Sequence, residues 1–290
     1  MTILQAGFRK SGNFWLWNII EHTLKQARLP QKSFVQKQPI YKLAKTWDLA
    51  FDAQPGMDFI SISPEVNQYQ IVPVFYWPIE DMKKYVRQTT HVWTHSAARR
   101  DCIDTFKIFD KIVYVMRDPR DVAVSFHRFA HNAFHKRFYG TKDKRSPQQD
   151  WGVHVIGFLN AVEELGAHVI FYEHLLLDWD RAYGELLDYL EIELSPKKRE
   201  AVRKATSFAT MKKRSKLHLA RGEAYGWVDE LSGKEQKDFT YIHDRFLALL
   251  GYPMTAAEAR KGVLPVLPTR EQLAEATPNL WALDAISATI

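Results

Sequence analysis

The chain has 290 residues, 46% hydrophobic and 26% charged, enough to bury a full core and too apolar for bulk disorder. A single cysteine, Cys102, excludes an internal disulfide framework and a cysteine-based zinc finger, so a reducing, cytoplasmic setting is expected. No basic-then-apolar leader opens the sequence and no uncharged apolar run is long enough to cross a bilayer, so stable membrane insertion is not expected.

The net charge of +6 and the pI near 9.2 point to anionic partners, but the excess is local. Residues 197–221 hold more than all of it, and the rest of the chain is slightly acidic. A solvated basic helix is the simple account of such a run. Thr206, Ser207, Phe208 and Met211 interrupt it with small and apolar residues, which fits the rim of a pocket better. No helix-turn-helix, RNP or zinc pattern supports a nucleic-acid partner.

In chain order, TILQAGF (2–8) is a short apolar run read as a buried strand. It leads through RKSG into a helix over 13–27. Residues 28–90 are irregular, with many aromatics and six prolines, and are read as long loops forming substrate walls. HVWTH (91–95) is a further candidate strand. KIVYVM (111–116) is a strand followed by RDPRD and a helix from about 119 to 136. The basic connection 137–151 reads as a lid. AHVIFY (167–172) is another strand with a helix after it, and TREQLAEA is a helical stretch in a tail expected to wrap the surface. Strand–loop–helix repeated in this way predicts one α/β domain over 1–290, with residues 251–290 as a surface extension. Its centre is expected to be a parallel sheet flanked by helices.

Four segments carry chemistry. In AGFRKSGNFW a strand delivers a loop to a helix N-terminus, where free N–H groups and the helix dipole attract an anion. Lys10 adds a charge, Ser11 and Asn13 add donors, and Gly12 allows close approach. In YVMRDPRDVAVSFHRF, Arg117 ends a strand and Ser125 lies two helical turns on, so both can reach one phosphate. An internal Arg117–Asp121 ion pair is the structural alternative. ATSFATMKK offers Phe208 as a flat face and Met211 as a soft contact. LARGEAYGW offers Arg221 as a guanidinium and Gly222 for backbone access.

Together these segments resemble the sulfotransferases that use 3′-phosphoadenosine 5′-phosphosulfate (PAPS). RKSGNFW is similar to that family's PKSGTTW, keeping Lys10, Ser11, Gly12 and Trp15. YVMRDPRDVAVSFHRF is similar to YVxRNPxDVAVSxxxF, FYEHL to FYEDL, and TSFATMK to TSFxxMK, in the family's order from residue 3 to about 250. The resemblance implies a P-loop-like, nucleotide-kinase-like α/β architecture. It also implies sulfuryl transfer to a hydroxyl or amine of a small-molecule or glycan acceptor, with PAP as product and no metal required. A homodimer is left open.

The site residues implied by that likeness are Lys10, Ser11, Gly12, Asn13 and Phe14 around the 5′-phosphosulfate, with Arg9 and Trp15 also in the cofactor site. Arg117, Ser125, Arg221 and Gly222 would hold the 3′-phosphate. Tyr172, Thr206, Phe208 and Met211 would surround the adenine, with Trp47 as the second stacking aromatic. Lys10 would stabilise the departing phosphate and His95 would be the base, with Glu80, Asp81, His91 and Asp101 in reserve. The sequence departs from the family where RKGxxGDW reads ARGEAYGW, where Asn13 and Phe14 replace two threonines, and where WTHS stands for Lys-Thr-His-Leu.

His127, His131 and His135 recur every four residues at metal-ligand spacing, but no carboxylate or fourth ligand accompanies them. Two other functions use the same features. A P-loop kinase would want Gly-Lys-Ser order, which is absent. A non-catalytic adenine-nucleotide-binding module would keep Arg117, Ser125 and Phe208 without needing Lys10 or a base.

Overall fold

The computed structural model describes residues 1–130, 147–214 and 222–276. A seven-stranded sheet lies at the centre, in the order β4-β3-β2-β5-β1-β6-β7. The strands are β1 (Ile3–Gly7), β2 (Asp58–Ser61), β3 (Gln68–Ile71), β4 (Phe75–Pro78), β5 (His91–Thr94), β6 (Lys111–Met116) and β7 (His168–Phe171). The five from β2 to β7 in the sheet order run parallel, and β3 and β4 form an antiparallel hairpin at one edge.

Strand alternation sorts the side chains into two cores. On β1 and β6, Ile3, Val113 and Val115 face one layer, while Leu4, Ala6, Ile112, Tyr114 and Met116 face the other. The first layer is built by α1 (Asn13–Ala27), then α5 (Trp179–Tyr189) and α6 (Pro196–Ala205). Leu16, Ile19, Ile20 and Leu24 recur at helical spacing on α1, and all are fully buried. Each such burial stabilises by roughly 1.5–3 kcal/mol before entropy is counted. α1 ends where Arg28 turns left-handed (φ 58°) and the Leu29 N–H bonds back to the Leu24 carbonyl.

The opposite layer holds α2 (Pro119–Ala130), α3 (Pro147–Leu165) and α8 (Gly233–Leu249). The short α4 (Tyr172–Leu177) follows β7 directly, and α7 (Phe208–Arg214) follows α6. No helix among the described residues is long and apolar enough to cross a membrane.

The expected strands at 2–8, 91–95, 111–116 and 167–172 are all present; 111–116 has the expected bounds and the other three are a residue or two shorter. Residues 28–90 are the main difference. They supply β2, the β3–β4 hairpin and the Met82–Arg87 helix rather than loops alone, which makes the sheet mostly, not wholly, parallel. Strands of four residues are too short for periodicity to show. The hairpin also turns at Val72-Pro73 and closes at Pro78, and those prolines read as breakers. The tail is less superficial at its start than expected, since Tyr252 and Ala259 are buried in the core.

Candidate active site

β1, β5, β6 and β7 all end on the same side of the sheet, where a parallel α/β sheet presents ligands. A cavity of about 270 Å³ opens there. Of the sequence-derived set, Arg9, Lys10, Gly12, Asn13, Phe14, Trp15, His95, Arg117, Ser125, Tyr172, Thr206, Phe208, Met211 and Gly222 line it. Ser11 lies just behind, fully buried, and its Oγ has no hydrogen-bond partner.

The loop after β1 is shaped for an anion. Gly12 is left-handed (φ 94°), and a Cβ there would stand 2.4 Å from Cδ2 of Tyr172. Lys10 is left-handed too (φ 69°), a conformation that carries strain in a lysine. The N–H groups of Lys10, Gly12 and Asn13 find no acceptor among the described residues, and α1 has no side-chain cap. The Asn13 side chain is spent inside the loop: its Nδ2 donates to the Phe8 carbonyl at 2.7 Å, while Gln5 Nε2 donates to the Asn13 carbonyl at 2.8 Å. Asn13 thus braces the loop, and its backbone N–H is what it offers a ligand. Lys10 Nζ lies 3.9 Å from the centre of the Phe129 ring. Burial, and then the Arg117 charge, push its pKa down to about 7.

Arg117 follows β6 with its guanidinium 4.1 Å over the Tyr172 ring, 3.4 Å from Asp121, and bonded to the Glu223 carbonyl at 3.1 Å. Its Nε is buried without a partner. The ion pair and the cavity-lining position hold at once. Asp121 also accepts the N–H groups of Tyr225 (2.8 Å) and Trp227 (2.9 Å), so it suspends the strand of chain that carries Gly222. Gly222 is left-handed, and a Cβ there would stand 2.2 Å from Cδ2 of Phe208. Thr206 turns its hydroxyl to the Val202 carbonyl and its own carbonyl to Trp15 Nε1 (2.8 Å), which locks α6 to α1.

Asp118 caps α2, accepting from the Arg120 N–H at 2.9 Å, and forms a fully buried pair with the Arg120 guanidinium. Arg120 lies 3.9 Å from the centre of the Trp227 ring. Glu173 accepts the Asp118 N–H at 3.0 Å, and burial pushes its carboxyl up to about 8.

His95 sits just beyond β5. Its Nδ1 is 2.7 Å from the Gly7 carbonyl, so Nδ1 carries the hydrogen and Nε2 is left as the acceptor. Burial, followed by the charge of Arg9, pushes its pKa down to about 3 against the opposing carbonyl bond. Behind it His154, which belongs to none of the four segments, lies 3.2 Å by Nε2 from the His95 carbonyl and 3.0 Å by Nδ1 from the Tyr114 hydroxyl. Beside it the chamber is aromatic. Phe59 and Trp93 meet the His95 ring edge-on, Phe51 packs on Phe14, and Met57, Val72 and Pro73 close the wall.

Some candidates lie elsewhere. Trp47 does not line the cavity and packs against the core beneath it. His91 begins β5 at the far end of the sheet, stacked on Trp17 and bonded to Glu21. Asp81 caps the Met82–Arg87 helix, Asp101 pairs with Arg99, and Glu80 is exposed; none of them reaches the chamber. Arg221, His131, His135 and residues 137–146 lie outside the described residues. Among those described, no three His, Cys, Asp or Glu side chains cluster closely enough to hold a metal.

The architecture is that of an α/β protein with an anion loop and a chamber at the same strand ends. A family profile described as the sulfotransferase domain matches residues 2–239, and the chain belongs to that family. Among solved structures, mouse sulfotransferase SULT7A1 complexed with PAP shares the fold at 17% identity, with 90% of this chain and 87% of that one covered and a TM-score of 0.55. Retinol dehydratase in a complex with retinol and PAP also has a TM-score of 0.55 at 17% identity, covering 85% of this chain and 81% of its own. No curated protein sequence matches.

Proposed function

We propose that this sulfotransferase moves the sulfuryl group of PAPS to the hydroxyl of a flat, apolar small molecule. The observation that carries the reading is the pairing of Lys10 and His95 on one cavity, with the anion loop on one side and the aromatic chamber on the other. The polar features suit a bisphosphorylated nucleotide. The loop N–H groups, the orphaned Ser11 Oγ and the Arg117 Nε are donors without acceptors, and Gly12 and Gly222 leave room where a Cβ would clash. The aromatic lining favours an apolar ring over a sugar.

PAPS supplies a sulfuryl group on a phosphate oxygen. As that S–O bond breaks and a bond to the acceptor oxygen forms, charge gathers on the departing phosphate, where a lysine stabilises it. Lys10 is the residue for that task. The acceptor proton passes to His95 Nε2, which the Gly7 carbonyl keeps unprotonated and oriented. A bound anion offsets the Arg9 and Lys10 charges that now weaken this base, so donor binding raises its basicity.

A thermal-shift comparison of 3′-phosphoadenosine 5′-phosphate (PAP) with ATP and magnesium tests the reading. PAP at 100 times its dissociation constant is expected to add about 2.7 kcal/mol of stability. Stabilisation by ATP–magnesium alone would return the protein to the kinase reading.

A further inference from the structure

Two neutral amides belong to the aromatic chamber, and one of them is spent on the wall itself. Gln54 lines the cavity, but its Oε1 accepts from the Ala50 N–H at 2.9 Å and its Nε2 donates to the Val72 carbonyl. Gln70 is uncommitted. It is only 8% exposed, it lines the same cavity, and its side-chain amide makes no hydrogen bond among the described residues.

The sheet sets Gln70 on the acceptor side, away from the donor. The anion loop, Arg117 and Tyr172 follow β1, β6 and β7, whereas Gln70 lies on β3, three strands from β1 in the other direction. Antiparallel pairing puts Gln70 opposite Phe59, and parallel pairing puts Phe59 beside Trp93, so the three side chains stand in one row on one face. Phe59 is the residue that meets the His95 ring edge-on. Tyr69 and Ile71, flanking Gln70, belong to the opposite core, as strand alternation requires. Tyr76 continues the row on β4 and is not part of the cavity lining, so Gln70 stands at the chamber's far end.

Neighbouring strands lie ~4.8 Å apart and each residue rises ~3.3 Å. Gln70 is two strands from β5, and His95 is two residues beyond Trp93, which separates their Cα atoms by roughly 12 Å. A single phenol ring is too short for that span, and two or three linked or fused rings fill it. An amide offers both donors and an acceptor, and a buried one is stabilised when an oxygen meets it.

We propose that Gln70 reads the far end of the acceptor: it hydrogen-bonds a neutral oxygen, carbonyl or hydroxyl, on a molecule of two or three rings whose other end presents the reacting hydroxyl to His95. The inference rests on the sulfotransferase reading and adds to it the acceptor's length and its second polar group.

The test compares para-hydroxybiphenyl with its counterparts bearing a hydroxyl or an acetyl group at the far para position, by calorimetry on the PAP-loaded protein. Wild type should bind both oxygenated biphenyls about tenfold more tightly than the plain one, the worth of one buried hydrogen bond. In Gln70→Met and Gln70→Leu, which keep apolar bulk, that ratio should fall to about one, with affinity for PAP and for the plain biphenyl held within about threefold. Phenol and hydroquinone, too short to reach Gln70, should bind within about threefold of each other. Equal binding of plain and oxygenated biphenyls by wild type overturns the proposal, as does a ratio that the variants leave unchanged. A tenfold preference for hydroquinone over phenol would put the polar contact next to the reacting hydroxyl, and it overturns the proposal too. Absence of PAP binding to wild type is a separate result, and it removes the sulfotransferase reading itself.

Discussion

Lys10 has a left-handed backbone, a nearby arginine and an aromatic ring beneath its ammonium group, and its pKa is held near 7. A phosphate reverses that pressure, because an anion at contact favours the charged form. At pH 8 most of the free protein has Lys10 neutral, so PAP binding should take up close to one proton. Calorimetry in buffers of different ionisation enthalpy measures it. Lys10→Ala should lose both that uptake and sulfuryl transfer while retaining PAP binding through Arg117 and the loop. Unchanged turnover in this variant would remove Lys10 from the chemistry. Lysine, serine and glycine in the order RKSG were readable from the sequence as an anion loop. The inward turn of the Asn13 amide was not, because it depends on the Phe8 carbonyl, which only the folded loop brings within reach.

Elements are positioned here by contacts that admit no side chain. Gly12 joins α1 to α4 through the Tyr172 ring, and Gly222 lets the chain pass across Phe208. Alanine at Gly222 meets both a left-handed φ of 69° and an aromatic carbon at 2.2 Å. Gly222→Ala should therefore weaken PAP binding by at least about tenfold through displacement of Phe208, with a smaller effect on thermal stability. Calorimetry and a melting curve on the same sample separate the two effects. Pattern reading succeeded for elements with long buried runs, such as β1 and β6, and failed for β2, β3 and β4. All three are four residues long; β3 carries two glutamines and β4 a proline with exposed aromatics, and their place in the sheet is decided by neighbours rather than by composition. Trp47 illustrates the same limit within the site. An aromatic residue in the expected window was identifiable from sequence, yet whether it faces the cavity or the core is a matter of packing.

Across the whole molecule, buried charges set how stability varies with pH. Glu173 is raised from its ordinary 4.5 to about 8, so the folded state binds more protons than the unfolded one in that window and stability falls as pH rises from 4.5 to 8. Lys10 has the opposite sign. It is lowered from 10.5 to about 7, the unfolded state binds more protons there, and stability rises as pH increases from 7 to 10.5. Glu173→Gln should flatten the acid-side fall and stabilise the protein most at pH 8, as chemical denaturation at pH 5, 6.5 and 8 would show. An unchanged fall in the variant would mean that Glu173 is already ionised in the fold over this range.

The clasp of Asp121 on Tyr225 and Trp227 joins residues more than a hundred positions apart. The anion loop and Arg117 belong to the first half of the polypeptide, but the wall that faces them arrives only when the last third has docked. During synthesis, a chain released before that point has most of the site's charged groups and no enclosed place for a nucleotide. Ligand binding should therefore be a property only of molecules whose folding has run to its end.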